Sequence, residues 1–326
     1  MEKLFYRLEI FLKKQISRGR FLKICLGWFA VFVSENRFLK LAFAKAAESD
    51  GRPKRKIKGN YDLVVSEGPD PYQNTVKAIE ALGGMGLFVK KGAVVVIKPN
   101  MGWDRTPEQA ANTDPGVVAA LTDLCYKAGA KRVNIFDVTC NDERRCYENS
   151  GIEKAAKEKG AYVYFANQWD VVKAKFPYKS QMEGWAILRD AVKCDTFINV
   201  PVLKHHSLAR LTLSMKNLMG VCAGMRGLMH QGLGEKLVDL TDFISPELTV
   251  VDATRFLTRN GPSGGNVADV TVLNKVIAAT DPVLADAYAG ELAGVDPLSL
   301  SYVKDAVARN FGSADIAGAK MFSVPA

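Results

Sequence analysis

From residue 61 onward, short apolar runs alternate with longer segments in which apolar residues recur every three or four positions. Short apolar runs bounded by turn residues are typical of buried strands, and the longer periodic segments are typical of helices. The runs that we predict to form strands lie at 61–66, 93–98, 133–137, 161–165, 196–200, 248–253 and 275–279. This alternation predicts an α/β fold, with a mainly parallel, Rossmann-like sheet and helices on both of its faces.

Two of the predicted helices have clear start signals. Asp114 precedes Pro115, and Asp281 precedes Pro282. An aspartate caps the first free N–H groups of a helix, and proline fits the first turn because its nitrogen has no hydrogen to leave unpaired. We therefore predict helices at 115–128 and from 282, in addition to those near 71–82 and 298–310.

The segment 199–230 holds all three histidines of the chain: His205, His206 and His230. The apolar run before it stops at Pro201, so the polar residues follow the end of a predicted strand. Ligands of open α/β sheets bind beyond the carboxyl ends of the strands. We therefore predict that one pocket is lined by four side chains: Lys204, His206, Lys216 and His230.

The motifs of this segment resemble those of DUF362, an uncharacterised family. The pattern P-x-L-K-x-H is found at 201–206, K-N-x-x-G at 216–220, and a later histidine at His230. Further matching motifs are found at Ile97–Asn100, Asn112–Val118, Asn260–Gly265 and Ala279–Ala287. One departure is His205, where the family pattern has threonine. The resemblance covers roughly residues 90–312 and implies a fold and a site, and it implies that relatives are often exported or associated with iron–sulfur clusters.

Several candidate residues suit a small anionic substrate. Neutral His206 and His230 are candidate acid–base groups, and Lys204 and Lys216 are candidate catalytic cations. We expect Lys204 and Lys216, together with Lys98, to hold the substrate carboxylate or phosphate, and Asn100 and Asn217 to orient it. The glycine-rich loop that follows the sixth strand would add backbone N–H donors, and its candidates are Asn260, Gly261 and Gly264.

Cysteines supply the candidate metal ligands. Cys140 and Cys146 bracket the sequence CNDERRC just after the third predicted strand, and Cys222 lies in the histidine-rich segment. The ligand set that we predict for a metal ion or an iron–sulfur cluster is Cys140, Cys146, Cys222, His206 and His230. The alternatives are a disulfide between the first two cysteines, formed after export, or two half-exposed thiols in a loop.

The basic charge is confined to the N-terminal part. Residues 1–58 contain 15 Lys/Arg and 5 Asp/Glu, a balance of +10, so a total of +9 leaves −1 for the rest. A neutral body argues against nucleic acid as a partner. The segment 1–50 predicts export to the periplasm or anchoring on a membrane surface, with a cytoplasmic location as the alternative. Ser17–Lys23 resembles a twin-arginine export motif, but Gly19 stands in place of the second arginine. Residues 51–60 are predicted to be a basic linker, and 61–326 the α/β domain.

Three functions follow from these residues. The first is a metal- or iron–sulfur-dependent enzyme, an oxidoreductase, which acts on a small anionic substrate in the lysine- and histidine-lined pocket. The second is a non-catalytic accessory protein that binds a metal centre for a membrane redox system. The third is a racemase or isomerase that removes a proton next to a carboxylate, by analogy of fold alone.

Overall fold

Thirteen strands form two sheets in the computed structural model, which describes residues 46–326. The signal-like or membrane-surface segment was predicted at residues 1–50, and all of it but residues 46–50 lies outside this described part. The strands are β1 (Glu48–Ser49), β2 (Leu63–Glu67), β3 (Val94–Pro99), β4 (Arg132–Ile135), β5 (Tyr162–Val163), β6 (Val171–Ala174), β7 (Ala186–Leu188), β8 (Thr196–Val200), β9 (Val202–His206), β10 (Arg210–Thr212), β11 (Leu248–Leu257), β12 (Val270–Ala279) and β13 (Met321–Pro325).

The main sheet has ten strands and is mostly parallel. Its principal path runs β13-β2-β12-β11-β8-β3-β4-β5, and β9 joins it by pairing with β11 and β10. Strands β11, β8, β3, β4 and β5 are parallel to one another. Strand β12 is antiparallel to both of its partners, β11 and β2. The small sheet consists of β1, β6 and β7. The predicted α/β class is therefore confirmed, with two strands of the main sheet, β12 and β10, running antiparallel to their partners.

Helices cover both faces of the main sheet. They are α1 (Pro71–Leu82), α2 (Pro115–Lys127), α3 (Glu143–Asn149), α4 (Ile152–Glu158), α5 (Arg189–Lys193), α6 (Ser214–Asn217), α7 (Leu233–Ile244), α8 (Pro282–Leu292) and α9 (Ser301–Ala308). In β3, Val95 and Ile97 point into the core beneath α1 and α2, and Val96 between them is equally buried on the other face. On that other face α8 packs against β11, β12, α6 and α9. Burial on both faces explains why the strands are apolar throughout.

The helix start signals are confirmed in detail. The Asp114 carboxylate accepts a hydrogen bond from Gly116 N–H at the start of α2. Asp281 likewise accepts from Val283 and Leu284 N–H at the start of α8. These caps satisfy N–H groups that have no partner within the helix.

The polar residues after Pro201 lie on a second strand, which our predicted strands did not include. Strand β8 ends at Val200 and β9 begins at Val202, so the proline separates two strands. Strand β11 is longer than predicted and runs on to Leu257, which gives β9 a parallel partner. Strand β10 pairs with β9 on its other side. Strand β11, which is distant in sequence, thus supplies backbone hydrogen bonds to β9 that the local sequence does not indicate.

The predicted linker packs against the domain. Arg52 is 4% exposed, and its guanidinium forms an ion pair with Glu247 at 2.6 Å. The same guanidinium donates to the backbone carbonyl of Cys194 at 2.8 Å. Just before it, β1 pairs with β6. Residues 46–326 form one compact unit, so the domain begins before residue 61.

Candidate functional site

A cleft of about 340 Å³ opens beyond the carboxyl ends of β3 and β4, beside β9 and α6. The predicted residues that line it are Lys98, Asn100, Cys140, Lys204, His206, Lys216, Asn217 and His230. The four side chains of the single-pocket prediction therefore share one cleft. Their roles in any reaction stay predictions.

The alternation of side chains along β9 determines which residues face the cleft. Lys204 and His206 are two positions apart and point to the same side of the strand, as successive side chains in a strand alternate. His205 faces the opposite way, where its Nδ1 accepts a hydrogen bond of 3.1 Å from Gly261 N–H. His205 thus holds the neighbouring loop in place and does not line the cleft.

Lys98 is a buried cation that the protein itself neutralises. Its Nζ lies 2.8 Å from Oδ1 of Asp137, and it also donates to the Asn217 side-chain carbonyl at 2.9 Å. Burial lowers the pKa of Lys98, and the Asp137 carboxylate opposes this effect. Both side chains are almost fully buried. Lys98 therefore belongs to the framework of the site, and its charge is not free for a substrate.

The ion pair leaves no room for a side chain at Gly220. A Cβ placed there would lie 1.9 Å from Oδ1 of Asp137 and 2.5 Å from Nζ of Lys98. The Gly220 backbone is also close to the residue after Asp137, because Val138 N–H donates a hydrogen bond to the Gly220 carbonyl. This close approach explains the glycine of the K-N-x-x-G motif.

The two asparagines predicted to bind substrate instead connect the lysines. Asn217 accepts from Lys98 and Asn100 through its Oδ1, and its amide donates to Asn199 and to the Lys98 carbonyl. The Oδ1 of Asn100 accepts from Lys204 Nζ at 3.2 Å. Since these polar atoms are already paired, we assign both asparagines to positioning the lysines.

Among residues 46–326, Lys204 is buried without a carboxylate in ion-pair contact. It is 1% exposed, and its Nζ contacts the Asn100 Oδ1, the Ala111 carbonyl and, at 5.7 Å, the ring of Trp103. Burial lowers the pKa of Lys204 to about 7; the nearby Asp137 carboxylate opposes this effect, and the neighbouring Lys216 and Lys98 add to it. Its charge state therefore changes near neutral pH.

Lys216 is hydrogen-bonded to a histidine. Its Nζ lies 3.2 Å from Nε2 of His230, and burial lowers the pKa of Lys216 to about 8. The Nδ1 of His230 lies 3.0 Å from the Gly227 carbonyl, which only accepts, so Nδ1 carries the hydrogen and Nε2 is the acceptor. Lys216 is thus the donor to His230. Burial, together with the Lys216 charge, lowers the pKa of His230 as well.

His206 is held as a neutral ring. Its Nδ1 accepts from the backbone N–H groups of Leu208 and Ala209, at 3.1 Å and 3.3 Å. Burial first, and then the nearby Lys216 charge, lower its pKa to about 3. The hydrogen of the neutral ring is therefore on Nε2. The His206 and His230 rings lie 5.5 Å apart between centroids.

The predicted cysteine ligand set is not assembled. Cys146 is on α3 and fully buried in the hydrophobic core, because the helix turns it inward beside Tyr147. Cys222 is also buried, whereas Cys140 is exposed and its Sγ accepts from the Arg226 guanidinium at 3.0 Å. Across residues 46–326 no three His, Cys, Asp or Glu side chains are grouped to hold a metal ion. The five proposed ligands therefore do not fit a metal ion or a cluster as one set, and no disulfide joins the two cysteines.

The glycine-rich loop contributes little to the cleft. The side chain of Asn260 donates to Asp269, and the N–H groups of Gly261 and Gly264 donate to His205 and to the Asn260 carbonyl. These donors are used inside the protein, so the prediction of an anion cradle at Asn260, Gly261 and Gly264 was wrong. From this loop, Pro262 lines the cleft.

Other residues that line the cleft could not be recognised from the sequence. Trp103, Leu208 and Met219 face the cleft, but nothing in their spacing distinguished them from core or surface residues. Asp286 lies outside the cleft and accepts from Ser214 and Met215 N–H, the first residues of α6. It therefore positions the helix that carries Lys216 and Asn217.

Comparison with known proteins places the cleft within a recognised region. Residues 95–291 match the profile of a domain of unknown function, DUF362. The thylakoid-associated protein sll1697 of Synechocystis sp. is 30% identical over 236 residues, which cover 68% of this chain and 70% of that relative. All of the cleft residues discussed above lie within the matched range.

A solved structure shows a weaker likeness. The lactate racemase apoprotein from Thermoanaerobacterium thermosaccharolyticum is 10% identical, with a TM-score of 0.41. The alignment covers 74% of this chain, and this chain spans 58% of the racemase. In the part of the chain that the structure describes, no helix is long and apolar enough to cross a membrane.

Proposed function

The chain belongs to the DUF362 family, and from that premise we propose that its cleft binds a small carboxylate or phosphate and moves a proton on it. The observation that carries this proposal is the pair Lys204 and Lys216. Both are buried in the cleft, and neither has a carboxylate within ion-pair distance among residues 46–326. Burying a cation without a counterion costs free energy, which a bound anion offsets.

An anion is the ligand that suits this electrostatic arrangement. Each lysine meets only neutral partners, such as the Asn100 amide oxygen and His230. Lys98, by contrast, already has Asp137. A carboxylate or phosphate would accept hydrogen bonds from both free ammonium groups at once, and charge-assisted bonds of this kind are the stronger ones.

Lys216 and His230 are placed for acid–base work. A general base is most effective when its pKa lies near the working pH, and the pKa of Lys216 is lowered to about 8. Its hydrogen bond to His230 fixes the amine and offers a second group through which a proton can pass. We assign Lys204 to binding the substrate anion, and Lys216 to both binding and proton transfer: its ammonium form binds the anion, and its neutral form, hydrogen-bonded to His230, accepts the proton. The reaction class is that of the racemase or isomerase predicted from the sequence.

The metal-dependent oxidoreductase and the metal-binding accessory protein depended on a shared ligand set. Because Cys146 lies in the core, away from the cleft, that set does not support either function. A bound metal or cluster stays a prediction from the sequence. Metal analysis of protein purified without oxygen, compared with Cys140→Ser, is the measurement that tests it.

Sulfate binding tests the anion site, since sulfate stays doubly charged over the working pH range. We expect sulfate to raise the melting temperature of the wild-type chain, because a ligand that binds only the folded state stabilises it. The double variant Lys204→Met/Lys216→Met should lose this increase. Lys131→Met, which changes an exposed lysine on the sheet's opposite end, is the matched control and should keep it. A double variant that responds like the wild type contradicts the proposal.

Isotope exchange tests the proton transfer. In D₂O, lactate, phenyllactate and malate should be followed by proton NMR for loss of the signal next to the carboxylate. We expect exchange with at least one acid, and its loss in Lys216→Met. If sulfate binds but no acid exchanges, the cleft is a binding site and not a catalytic one.

A further inference from the structure

The cleft is lined by apolar side chains as well as by lysines. Its apolar lining residues, called the apolar wall below, are Trp103, Val138, Leu208, Met219 and Pro262. Leu208 is 72% exposed, the most exposed of the large apolar side chains described. Single exposed leucines are common, but this one lines a ligand-sized cleft together with other apolar groups.

Leu208 is held rigidly in this place. It lies in the turn between β9 and β10, and its N–H donates to Nδ1 of His206 at 3.1 Å. The same ring accepts from Ala209 N–H. The leucine is therefore fixed next to a residue of the proposed catalytic cleft, and its exposure is a property of the folded turn.

Trp103 is held equally firmly, next to the buried Lys204. Its N–H donates to Asn112 Oδ1 at 3.1 Å, and its carbonyl accepts from the Asn112 amide at 2.8 Å. Its ring centroid lies 5.7 Å from Lys204 Nζ. An ammonium and an aromatic face are thus presented side by side.

The cleft is also large for a two- or three-carbon acid. Its volume of about 340 Å³ falls at the lower end of the ~300–1,000 Å³ that is typical of pockets for drug-sized ligands. A small acid bound at Lys204 and Lys216 would leave the apolar wall in contact with water. A ligand with its own apolar group would cover that wall, and removal of apolar surface from water favours binding.

We propose that the substrate is an amphipathic acid: a carboxylate or phosphate that carries an apolar group of about phenyl size. The acid group binds Lys204 and Lys216, and the apolar group packs between Trp103, Met219 and Leu208. This inference rests on the proposed function, because it assumes that the anion binds at the two lysines.

Matched pairs of acids separate the two parts of the inference. Calorimetry should compare acetate with benzoate, and inorganic phosphate with phenyl phosphate, on the wild-type chain. We expect the phenyl-bearing member of at least one pair to bind about tenfold more tightly or better, since even one methylene in an apolar pocket changes affinity ~10-fold or more. The two pairs also distinguish a carboxylate from a phosphate as the preferred acid group.

Variants locate the apolar contact. Leu208→Ser should reduce the advantage of the phenyl group by about tenfold, measured as the ratio of the two dissociation constants. Leu298→Ser changes another exposed leucine, which does not line the cleft, and should leave that ratio as it is. Equal binding of the members in both pairs, or a ratio that Leu208→Ser does not change, overturns the inference while sulfate binding upholds the anion site. If sulfate does not bind either, the proposed function fails first.

Discussion

Three lysines line the cleft, and their surroundings give them different chemistry. Lys98 has a carboxylate partner in Asp137, so the pair is neutral as a whole. Lys204 and Lys216 have neutral partners, and burial lowers the pKa of each towards neutral pH. Identical side chains within one cleft can thus act as framework, anchor and base, because the local environment determines which protonation state is favoured.

Sulfate binding should depend on pH in a defined direction. The folded, unliganded chain holds Lys204 with a pKa of about 7 and Lys216 with a pKa of about 8, so both are charged only below these values. We expect the sulfate-induced rise in melting temperature to be largest near pH ~6 and to fall towards pH ~9, with the midpoint displaced upward because the anion favours the charged lysines. Melting curves at a series of pH values check this. A rise that is constant with pH would mean that the lysines are charged throughout.

Because the Lys98–Asp137 ion pair lies against Gly220, even an alanine side chain does not fit at this position. Gly220→Ala places a methyl group 1.9 Å from Oδ1 of Asp137, so the pair must separate. Breaking a buried ion pair costs ~3–5 kcal/mol, and we expect the free energy of unfolding to fall by about that much. Gly86→Ala is the control, because a methyl group there meets nothing within 4 Å. Urea denaturation of both variants measures the difference, and equal stabilities would contradict the packing described.

At the scale of elements, a short helix presents Lys216 and Asn217 to the cleft. Helix α6 spans only Ser214–Asn217, too short to be stable alone. Asp286, from α8, accepts hydrogen bonds from the first two N–H groups of α6 and is completely buried. The position of the site residues thus depends on a carboxylate from a distant helix.

Asp286 should also make stability depend on pH. Burial raises its pKa to about 7, well above the value of an unfolded chain. The folded state then holds this proton more tightly, so its contribution to stability is greatest below pH ~4 and is lost as the pH rises through about 7. We expect the stability of the wild type relative to Asp286→Asn to decrease over that range in urea denaturation. An increase over the same range would show that the two N–H donors keep the carboxylate charged.

Local signals predicted most of the elements, and distant partners decided the rest. Helices α2 and α8 begin where aspartate and proline indicated, because capping acts within a few residues. Strand β9 was missed because Pro201 marked the end of a strand and the residues after it are polar. Its partner residues in β11 are distant in sequence, since Val202 pairs with Asp252 and Lys204 with Leu257. The antiparallel direction of β12 was equally invisible, since a strand has the same pattern in either direction.

The same distinction applies to the site. Lys204 and His206 could be predicted to share a side because two-residue spacing in extended backbone ensures it. The cysteine ligands could not be predicted, because the orientation of Cys146 depends on how α3 packs. The anion cradle at the glycine-rich loop failed because His205 and the loop itself use its N–H groups.

At the scale of the whole molecule, an ion pair joins the first described residues to the sheet. Arg52 and Glu247 are each 1% exposed at the side chain, and Glu247 also accepts from Phe197 N–H in β8. The basic segment before residue 61 is thus an integral part of the α/β domain. The positive charge of Arg52 is part of this buried ion pair, whereas Lys54, Lys56 and Lys58 of the same segment are exposed to solvent.

Arg52→Ala should therefore destabilise the whole domain. Among residues 46–326, the substitution leaves the buried Glu247 carboxylate with one ion-pair contact, of 3.8 Å to Arg55. Loss of one partner from a buried ion pair costs ~3–5 kcal/mol. Lys56→Ala, an exposed neighbour in the same segment, should change the free energy of unfolding by less than ~0.5 kcal/mol. Denaturant melts decide between this result and a true linker, for which both variants would resemble the wild type.

The pairing of β13 with β2 affects how the chain folds while it is being synthesised. It pairs in parallel with β2, and the hydrogen bond from Lys320 N–H to Asp62 beside them joins residues 258 positions apart. A ribosome adds ~5–20 residues per second, so β2 leaves the exit tunnel many seconds before its neighbour exists. Its neighbour on the other edge, β12, is also late in the sequence (Val270–Ala279), so during most of that time both edges of β2 are unpaired, and such edges attract other chains. The nascent chain is therefore most exposed to aggregation before its last strand is synthesised, and a chaperone that covers β2 would act in that interval.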